Sequence, residues 1–208
     1  MTSKRVRKRK SKRFRVDWPL ALTLVVVAVL AIGGRWMASG GGREADPVGG
    51  PFELVAQDGQ VMTDQDFLGS YTLIYFGYTH CPDICPTTLQ AVSDALDSMP
   101  EALARRIQPV MISVDPERDT PEKMGAYVTL FHPRMIGLTG DPAHVEEAMQ
   151  AYGILSEKVD GTPNGYDMDH SALLFLMGPD GAFRSYFLPD VGAAELAQGL
   201  TEEVVGSG

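Results

Sequence analysis

Apolar and polar positions along the chain group into alternating strand and helix patterns. Short apolar runs bounded by Gly, Pro or Asp predict strands, whereas apolar residues that recur every three or four positions predict helices. Strands are predicted over 52–56, 61–63, 71–77, 110–114, 135–139, 171–177 and 183–188, and helices over 86–99, 121–131, 142–152 and 191–205. The polar stretch 156–169 is predicted to be a loop. This order is typical of an α/β sheet with flanking helices, to which two β-hairpins are added.

The N-terminal region differs from the rest of the chain and predicts a membrane tether. Residues 1–17 carry nine Lys or Arg, and the run from Trp18 to Gly34 carries no charge. Extending this run to Met37 reaches the ~20 residues that a membrane-spanning helix needs. The positive-inside rule then places the N-terminus in the cytoplasm. The predicted segments are a basic cytoplasmic tail (1–17), a single transmembrane anchor (18–37) and a Gly-rich linker (38–50).

The remaining residues, 51–208, are expected to form one domain in the periplasm, tethered to the cytoplasmic (inner) membrane. A cleaved signal peptide is the rival interpretation of the N-terminal region. Beyond residue 17 the chain has nine basic and 26 acidic residues, a net charge of −17. This charge argues against nucleic acid as a partner. A domain of this length buries a sizeable core without disulfides, so its cysteines are not needed as staples.

The only two cysteines, Cys81 and Cys85, stand between an apolar strand and the start of a helix. In open α/β sheets, sites form at the edge where the parallel strands end. Asp115 follows the next central strand, and His170 is expected to open an antiparallel strand at the same edge. The two cysteines, Asp115 and His170 are therefore expected to converge there.

Three kinds of chemistry fit these residues, and the residues alone leave all three open. Two thiolates and an imidazole suit copper, and three ligands are too few for a closed structural zinc site. A redox pair is favoured by the position of Cys85 at a helix N-terminus, where a thiolate is stabilised. Thioredoxin-type pairs, however, have two intervening residues and this pair has three. A structural disulfide is also possible in an oxidising compartment.

Four blocks of the sequence resemble, in order, the characteristic blocks of the SCO/SenC family. They are GYTHCPDICPTTL at 77–89, SVDPERDTP at 113–121, GLTG at 137–140, and DHS at 169–171 followed by GPDG at 178–181. The resemblance covers about residues 50–190. Four blocks in the same order are far more specific than any one of them.

The resemblance implies a thioredoxin-like fold that binds copper, Cu(I) or Cu(II), through Cys81, Cys85 and His170. It also implies that Cys81 and Cys85 form a redox-active disulfide, with Asp115 near the site but outside the ligand set. The family role is a chaperone rather than an enzyme. It delivers copper to, or reduces the thiols of, the dinuclear copper site in the copper-bearing subunit of cytochrome c oxidase. A copper donor or a thioredoxin-like reductant is a further expected partner. The alternative is an extracytoplasmic thiol-disulfide oxidoreductase or peroxidase.

Overall fold

The computed structural model describes residues 48–162 and 165–206, which correspond to the predicted folded domain. The predicted cytoplasmic tail, the membrane anchor and most of the linker lie outside these residues. Within the two described ranges, no helix has both the length and the apolar character needed to cross a membrane.

Two sheets form the strand framework of the described residues. The strands are β1 (Glu53–Ala56), β2 (Val61–Thr63), β3 (Tyr71–Gly77), β4 (Ile107–Ser113), β5 (Ile136–Thr139), β6 (Ser156–Thr162), β7 (Gly165–His170), β8 (Leu174–Met177) and β9 (Phe183–Phe187). Seven of them form a mixed sheet in the order β2–β1–β5–β4–β3–β8–β9, while β6 and β7 form a separate sheet. The central strands β3, β4 and β5 are parallel, and the predicted terminal hairpins add antiparallel strands on both sides.

Helices connect and cover these strands. They are α1 (Ile84–Ser98), α2 (Glu101–Ala104), α3 (Pro121–Val128), α4 (Pro142–Ala151) and α5 (Ala193–Gly206), with one 3-10 turn at Asp64–Phe67. The side chains of Thr120 and Asp141 cap α3 and α4, and a proline opens each of these helices, as the sequence predicts. Helices α1 and α5 pack against each other.

Strand β3 forms the centre of the core and leads directly to the cysteines. All seven of its residues are buried, as expected of a strand that is covered on both faces. It pairs in parallel with β4, from Tyr71 opposite Ile107 to Gly77 opposite Ser113. Both strands therefore end at the same edge of the sheet. This register brings the cysteine segment and the loop that carries Asp115 together, as predicted.

Helix α1 begins earlier than the sequence predicts. It starts at Ile84, with Asp83 as its N-cap, rather than at Pro86. Pro86 is the third residue of the helix, where a backbone N–H has no acceptor within the helix, so proline costs no hydrogen bond. The early start places Cys85 inside the first turn of α1.

Strand β4 also begins earlier than predicted, at Ile107 instead of Val110. Pro109 lies inside the strand and pairs with Leu73 of β3. Pairing of β4 with β5 begins only at Val110, opposite Ile136. Among the described residues, one side of β4 has no strand partner before that point. The missing N–H of Pro109 is therefore tolerated there, as it is at a sheet edge.

The predicted loop over 156–169 is wrong, because this stretch forms the β6–β7 hairpin. Its strands carry few apolar residues. Strand β6 shows no apolar alternation, and in β7 only Tyr166 and Met168 alternate with aspartates, which is too short a pattern to predict a strand. Backbone pairing from Ser156 opposite His170 towards Gly165 holds the two strands together. His170 therefore ends β7 and does not open the next strand, which begins at Leu174.

Candidate metal centre

The three predicted copper ligands meet at the edge of the sheet where β3 and β4 end. Cys81 lies in the loop after β3, Cys85 in the first turn of α1, and His170 at the end of β7. Cys81 and His170 line an open cleft of about 330 Å³, and the buried Cys85 adjoins it. The rest of the lining comes from Tyr78, Pro82, Asp83, Ile84, Asp167, Met168 and Asp169. The fold thus brings His170 to two cysteines that lie more than 80 residues before it in the sequence.

Both cysteines are free thiols, but their surroundings differ. The backbone N–H of Cys85 donates a hydrogen bond to Cys81 Sγ over 3.4 Å. Hydrogen bonds from the Cys85 thiol and from backbone N–H groups lower the pKa of Cys81 to about 5, against the opposing effect of burial. The same thiol–thiol hydrogen bond and burial raise the pKa of Cys85. Cys81, at 9% exposure against 0% for Cys85, is therefore both the thiolate and the accessible sulfur.

His170 turns one ring nitrogen towards sulfur and holds the other on the backbone. Its Nε2 lies 3.8 Å from Cys85 Sγ, and its Nδ1 lies 3.1 Å from the carbonyl oxygen of Ser171. Because a carbonyl oxygen only accepts, Nδ1 carries the proton of the neutral ring and Nε2 keeps its lone pair. Metal-binding imidazoles are typically oriented in this way, with the second nitrogen donating to a carbonyl or carboxylate.

Two buried tyrosines surround the imidazole and the inner sulfur. Tyr75 donates its hydroxyl hydrogen to Cys85 Sγ over 3.4 Å. The rings of Tyr75 and Tyr78 meet His170 edge-on, with centroid distances of 6.4 and 5.8 Å. Burial raises the pKa of Tyr78 to about 12, so its hydroxyl stays protonated at neutral pH. Neither tyrosine was predicted to be a site residue, because a tyrosine in or beside an apolar strand pattern is predicted only to lie in the core.

Asp115 directs its carboxylate to the β6–β7 hairpin rather than to the thiols. The side chain is buried, and Oδ1 accepts a hydrogen bond from the Tyr166 hydroxyl over 2.8 Å. Arg118 donates to the other carboxylate oxygen of Asp115 and, over 2.8 Å, to the backbone carbonyl of Tyr166. Asp115 thus acts on the site indirectly, by anchoring β7 four residues before His170.

Two cations lie close to the ring of Tyr166. The guanidinium of Arg118 lies 3.6 Å and the ammonium of Lys158 lies 4.8 Å from the ring centroid. Lys158 also pairs with Glu117 at 2.6 Å, which links β6 to the loop after β4. Cation–π and charge-assisted contacts therefore hold a hairpin that has few apolar side chains of its own.

A second buried carboxylate, Asp119, orients the loop before Cys81 and was not singled out from the sequence. It accepts hydrogen bonds from the backbone N–H and hydroxyl of Thr79, at 3.1 and 2.6 Å, and from Ser113 Oγ at 2.7 Å. His80 Nδ1 lies 3.8 Å from the same carboxylate. The only available signal for Asp119 was its place in the sequence block that follows β4.

Comparison with known families decides the identity of the chain. The profile of the family described as SCO1/SenC matches residues 40–205, which is most of the sequence. The chain belongs to the SCO1/SenC family. The resemblance inferred from four sequence blocks is therefore confirmed.

Relatives and solved structures of the SCO1/SenC family support the same fold. The mitochondrial SCO1 homolog 1 of Arabidopsis thaliana is 38% identical over 157 residues, covering 76% of this chain and 47% of that protein. This chain therefore spans about half the length of that curated relative. Bradyrhizobium japonicum ScoI, solved with copper bound, is 44% identical with a TM-score of 0.69, covering 75% of this chain and 99% of that chain. The predicted mixed α/β, thioredoxin-like fold is confirmed.

A more distant structure, BsSco, shares the fold at 21% identity and a TM-score of 0.60, covering 77% of this chain and 95% of that chain. BsSco is presented as a member of the Sco family of cytochrome c oxidase assembly proteins, with a disulfide switch. At this level of identity, the likeness of this SCO1/SenC chain to BsSco concerns the fold alone.

The donor set of this SCO1/SenC chain fits copper. Two thiols suit Cu(I), and an imidazole nitrogen with a free lone pair suits both Cu(I) and Cu(II). Within residues 48–162 and 165–206, no three His, Cys, Asp or Glu side chains are arranged to hold a metal ion as they stand.

Proposed function

We propose that this chain binds one copper ion through Cys81, Cys85 and His170 and serves the assembly of cytochrome c oxidase. Copper is the cargo in this role, and the chain is a chaperone rather than an enzyme. The recipient is the dinuclear copper site in the copper-bearing subunit of the oxidase, and a separate copper donor loads the chain. The copper-bound structure of the related ScoI supports copper as the ion.

The observation that carries this proposal is the placement of His170. Its Nε2 lies 3.8 Å from Cys85 Sγ, while Nδ1 is occupied by a backbone carbonyl. A thiol pair that only exchanges disulfides has no need for an imidazole lone pair beside its buried sulfur. A copper site with three donors does need it, because imidazole is a better ligand for Cu(II) than thiolate alone.

The surroundings of the three ligands suggest a division of roles. Cys81 faces the cleft and is the sulfur that a partner reaches first. Cys85 lies in the core and completes the sulfur pair, and its 0% exposure keeps it out of direct reach. His170 supplies the nitrogen donor from the opposite wall of the cleft. The copper-bearing end of the domain is thus open on one side, as a site that loads and unloads a metal requires.

The proposed location follows from the sequence. Residues 18–37 anchor the chain in the cytoplasmic membrane, with residues 1–17 in the cytoplasm and the folded domain in the periplasm. The nine basic residues before Trp18 support this orientation. A reporter that works only in the periplasm should be active when it is fused after Gly208. Activity of a reporter that works only in the cytoplasm, fused at the same place, would contradict the topology.

Copper titration of the full-length chain in its two redox states tests the copper site. Reduced chain should bind one Cu(I), whereas chain with a Cys81–Cys85 disulfide should bind far less, because oxidation removes both sulfur ligands. Cys81→Ser and Cys85→Ser should each lose tight binding in competition with a chromophoric Cu(I) chelator. Gln90→Ser, at an exposed position on α1, serves as the matched control. Equal copper uptake by the reduced and oxidised chains would contradict the proposal.

Thiol reduction is the second candidate, favoured by the pKa of about 5 at Cys81. In this reaction the Cys81 thiolate attacks a disulfide of the partner, and Cys85 then attacks the sulfur of Cys81. The partner gains two electrons and leaves with one thiolate and one thiol, the proton of the thiol coming from Cys85, while this chain becomes the disulfide. A thioredoxin-like reductant then restores the dithiol. A variant without the His170 imidazole should still reduce disulfides but should no longer deliver copper. Substitution of His170 therefore distinguishes thiol reduction from copper delivery.

A further inference from the structure

One hydrogen bond to the buried sulfur is required neither by a three-ligand copper site nor by disulfide exchange. Tyr75 lies in the middle of β3 at 1% exposure, and its hydroxyl donates to Cys85 Sγ over 3.4 Å. Cys85 is fully buried, so little solvent competes for this sulfur. Cys81, in contrast, faces the cleft and accepts a backbone N–H. The two sulfurs are thus distinguished by the donors that reach them.

The backbone around Tyr75 is shaped for this contact. Gly77 ends β3 at the point where the ring of Tyr75 meets the sulfur of Cys85. A Cβ atom at this position would lie 2.7 Å from Tyr75 Cε1 and 3.0 Å from Cys85 Sγ, which is too close for either neighbour. Glycine therefore allows the ring and the sulfur to pack together. The nearby Thr88 hydroxyl lies 2.8 and 3.1 Å from two backbone carbonyls and is also within hydrogen-bonding reach of the Tyr75 hydroxyl.

We propose that Tyr75 is a positioning residue for Cys85. The Tyr75 hydroxyl withdraws electron density from the Cys85 sulfur in both the dithiol and the copper-bound chain. The copper part of this inference rests on the proposed function, and the dithiol part does not. A reduced sulfur is a better hydrogen-bond acceptor than a disulfide sulfur, so the contact favours the dithiol. At copper–thiolate sites, hydrogen bonds around the sulfur tune the redox behaviour of the metal.

Tyr75→Phe tests the inference, because it removes the hydroxyl and keeps the ring. The full-length chain is first equilibrated, without copper, with dithiothreitol, a dithiol that gives two electrons and two protons to the disulfide and becomes a cyclic disulfide. The equilibrium constant for reduction should fall about two- to tenfold, the range expected for one hydrogen bond. With Cu(II) bound, the sulfur-to-copper charge-transfer band should move to longer wavelength, because a more electron-rich sulfur gives up an electron more easily.

Tyr71→Phe is the matched control. Tyr71 lies on the same strand and is equally buried, but its hydroxyl donates to the backbone carbonyl of Glu203 over 3.4 Å instead of to sulfur. This variant should keep the wild-type equilibrium constant and the wild-type charge-transfer band. Wild-type values in Tyr75→Phe would overturn the inference, as would equal shifts in both variants, since a general effect of removing a buried hydroxyl from β3 would then explain them. A shifted dithiol constant in a chain that binds no copper would support the Tyr75 contact and overturn the proposed function.

Discussion

The two halves of the candidate site are built in opposite ways. The sulfur half lies between a fully buried strand and a helix, and Cys85 has 0% exposure. The imidazole half lies on a two-stranded hairpin outside the seven-stranded sheet, and His170 is only half-buried. Hydrophobic packing fixes the first half. Polar and cation–π contacts around Tyr166 help to fix the second.

This difference separates the two chemistries that the site offers. Disulfide formation needs only the sulfur half, whereas copper binding with a nitrogen donor needs both halves in register. Changes in the hairpin should therefore affect copper without affecting the thiols. Changes in the core around the cysteines should affect both.

His170→Ala should have the largest effect, because it removes the nitrogen donor and leaves the sulfur half in place. Cu(II) affinity should fall by more than about 100-fold. Substituting a residue that only hydrogen-bonds to a metal ligand already lowers metal affinity about 10–100-fold, and His170 is a ligand in this proposal. Cu(I) should remain bound by the two sulfurs, less tightly than in the wild type. The Cys81–Cys85 disulfide should still form. Absorption titrations with Cu(II), chelator competition with Cu(I), and thiol quantification measure these outcomes.

His144→Ala is the control for this prediction, because His144 is exposed in the first turn of α4 and lies outside the cleft lining. It should leave both copper affinities unchanged. Wild-type binding of both copper states by His170→Ala, with normal oxidase assembly in cells, would falsify the role of His170. Thiol reduction would then become the better account of the site.

Tyr166→Phe should have a smaller effect, and one confined to the imidazole half. The change leaves Asp115 Oδ1 without its hydroxyl donor, and Asp115 is buried at 1% exposure. An unsatisfied buried acceptor costs about 1–3 kcal/mol of folding stability. Because Tyr166 acts through the hairpin, Cu(II) affinity should fall by no more than about tenfold, the low end for residues around a metal site. Urea unfolding and Cu(II) titration measure the two effects.

The matched control for Tyr166→Phe is Tyr186→Phe, an exposed tyrosine on the edge strand β9. It should change neither stability nor copper affinity. In Tyr166→Phe, the rate at which Cys81 is alkylated should equal that of the wild type, since the sulfur half is untouched. A change in thiol reactivity comparable to the change in Cu(II) affinity would show that the two halves are not separable.

The same contrast explains how much of the fold the sequence predicts. The sheet core, the capped helices α3 and α4, and both terminal hairpins follow from apolar patterns, caps and turns, because these elements bury apolar faces. The hairpin over 156–169 does not, since its own Tyr166 is held by charged side chains contributed by other segments. Pro109 made the predicted start of β4 too late. A proline is tolerated inside this strand because pairing with β5 begins only at the next residue, Val110. Such information is tertiary and is absent from local patterns.

The candidate site shows the same limit. The convergence of Cys81, Cys85 and His170 could be predicted because thiols and imidazoles carry recognisable chemistry and stand in family-like blocks. Asp115 was expected near the site but outside the ligand set, and its contact with the hairpin through Tyr166 could not be predicted from local patterns. Tyr75 was not singled out, because its importance lies in one contact with Cys85 that only the packed structure reveals.

The smallest expected effect concerns the two sulfurs themselves. The pKa of Cys81 is lowered from its ordinary value of 9.0 to about 5, first by the hydrogen bond from Cys85. Since only the thiolate is alkylated, the reaction of reduced, copper-free chain with iodoacetamide at Cys81 should be on its plateau at pH 7 and fall as the pH drops through about 5. An ordinary thiol would instead gain rate up to about pH 8.5 and above. Peptide mass spectrometry across a pH series gives the profile and assigns it to Cys81.

Two substitutions of Cys85 sharpen this last prediction. Cys85→Ser keeps a side-chain donor beside Cys81, so the inflection should stay well below the ordinary pKa. Cys85→Ala removes that donor, and the inflection should move towards neutral pH, while the backbone N–H of residue 85 still favours the thiolate. The difference between the two variants isolates the thiol–thiol hydrogen bond from the helix N-terminus. If both variants titrate like the wild type, the low pKa arises from the backbone alone, and Cys85 does not determine which sulfur reacts first.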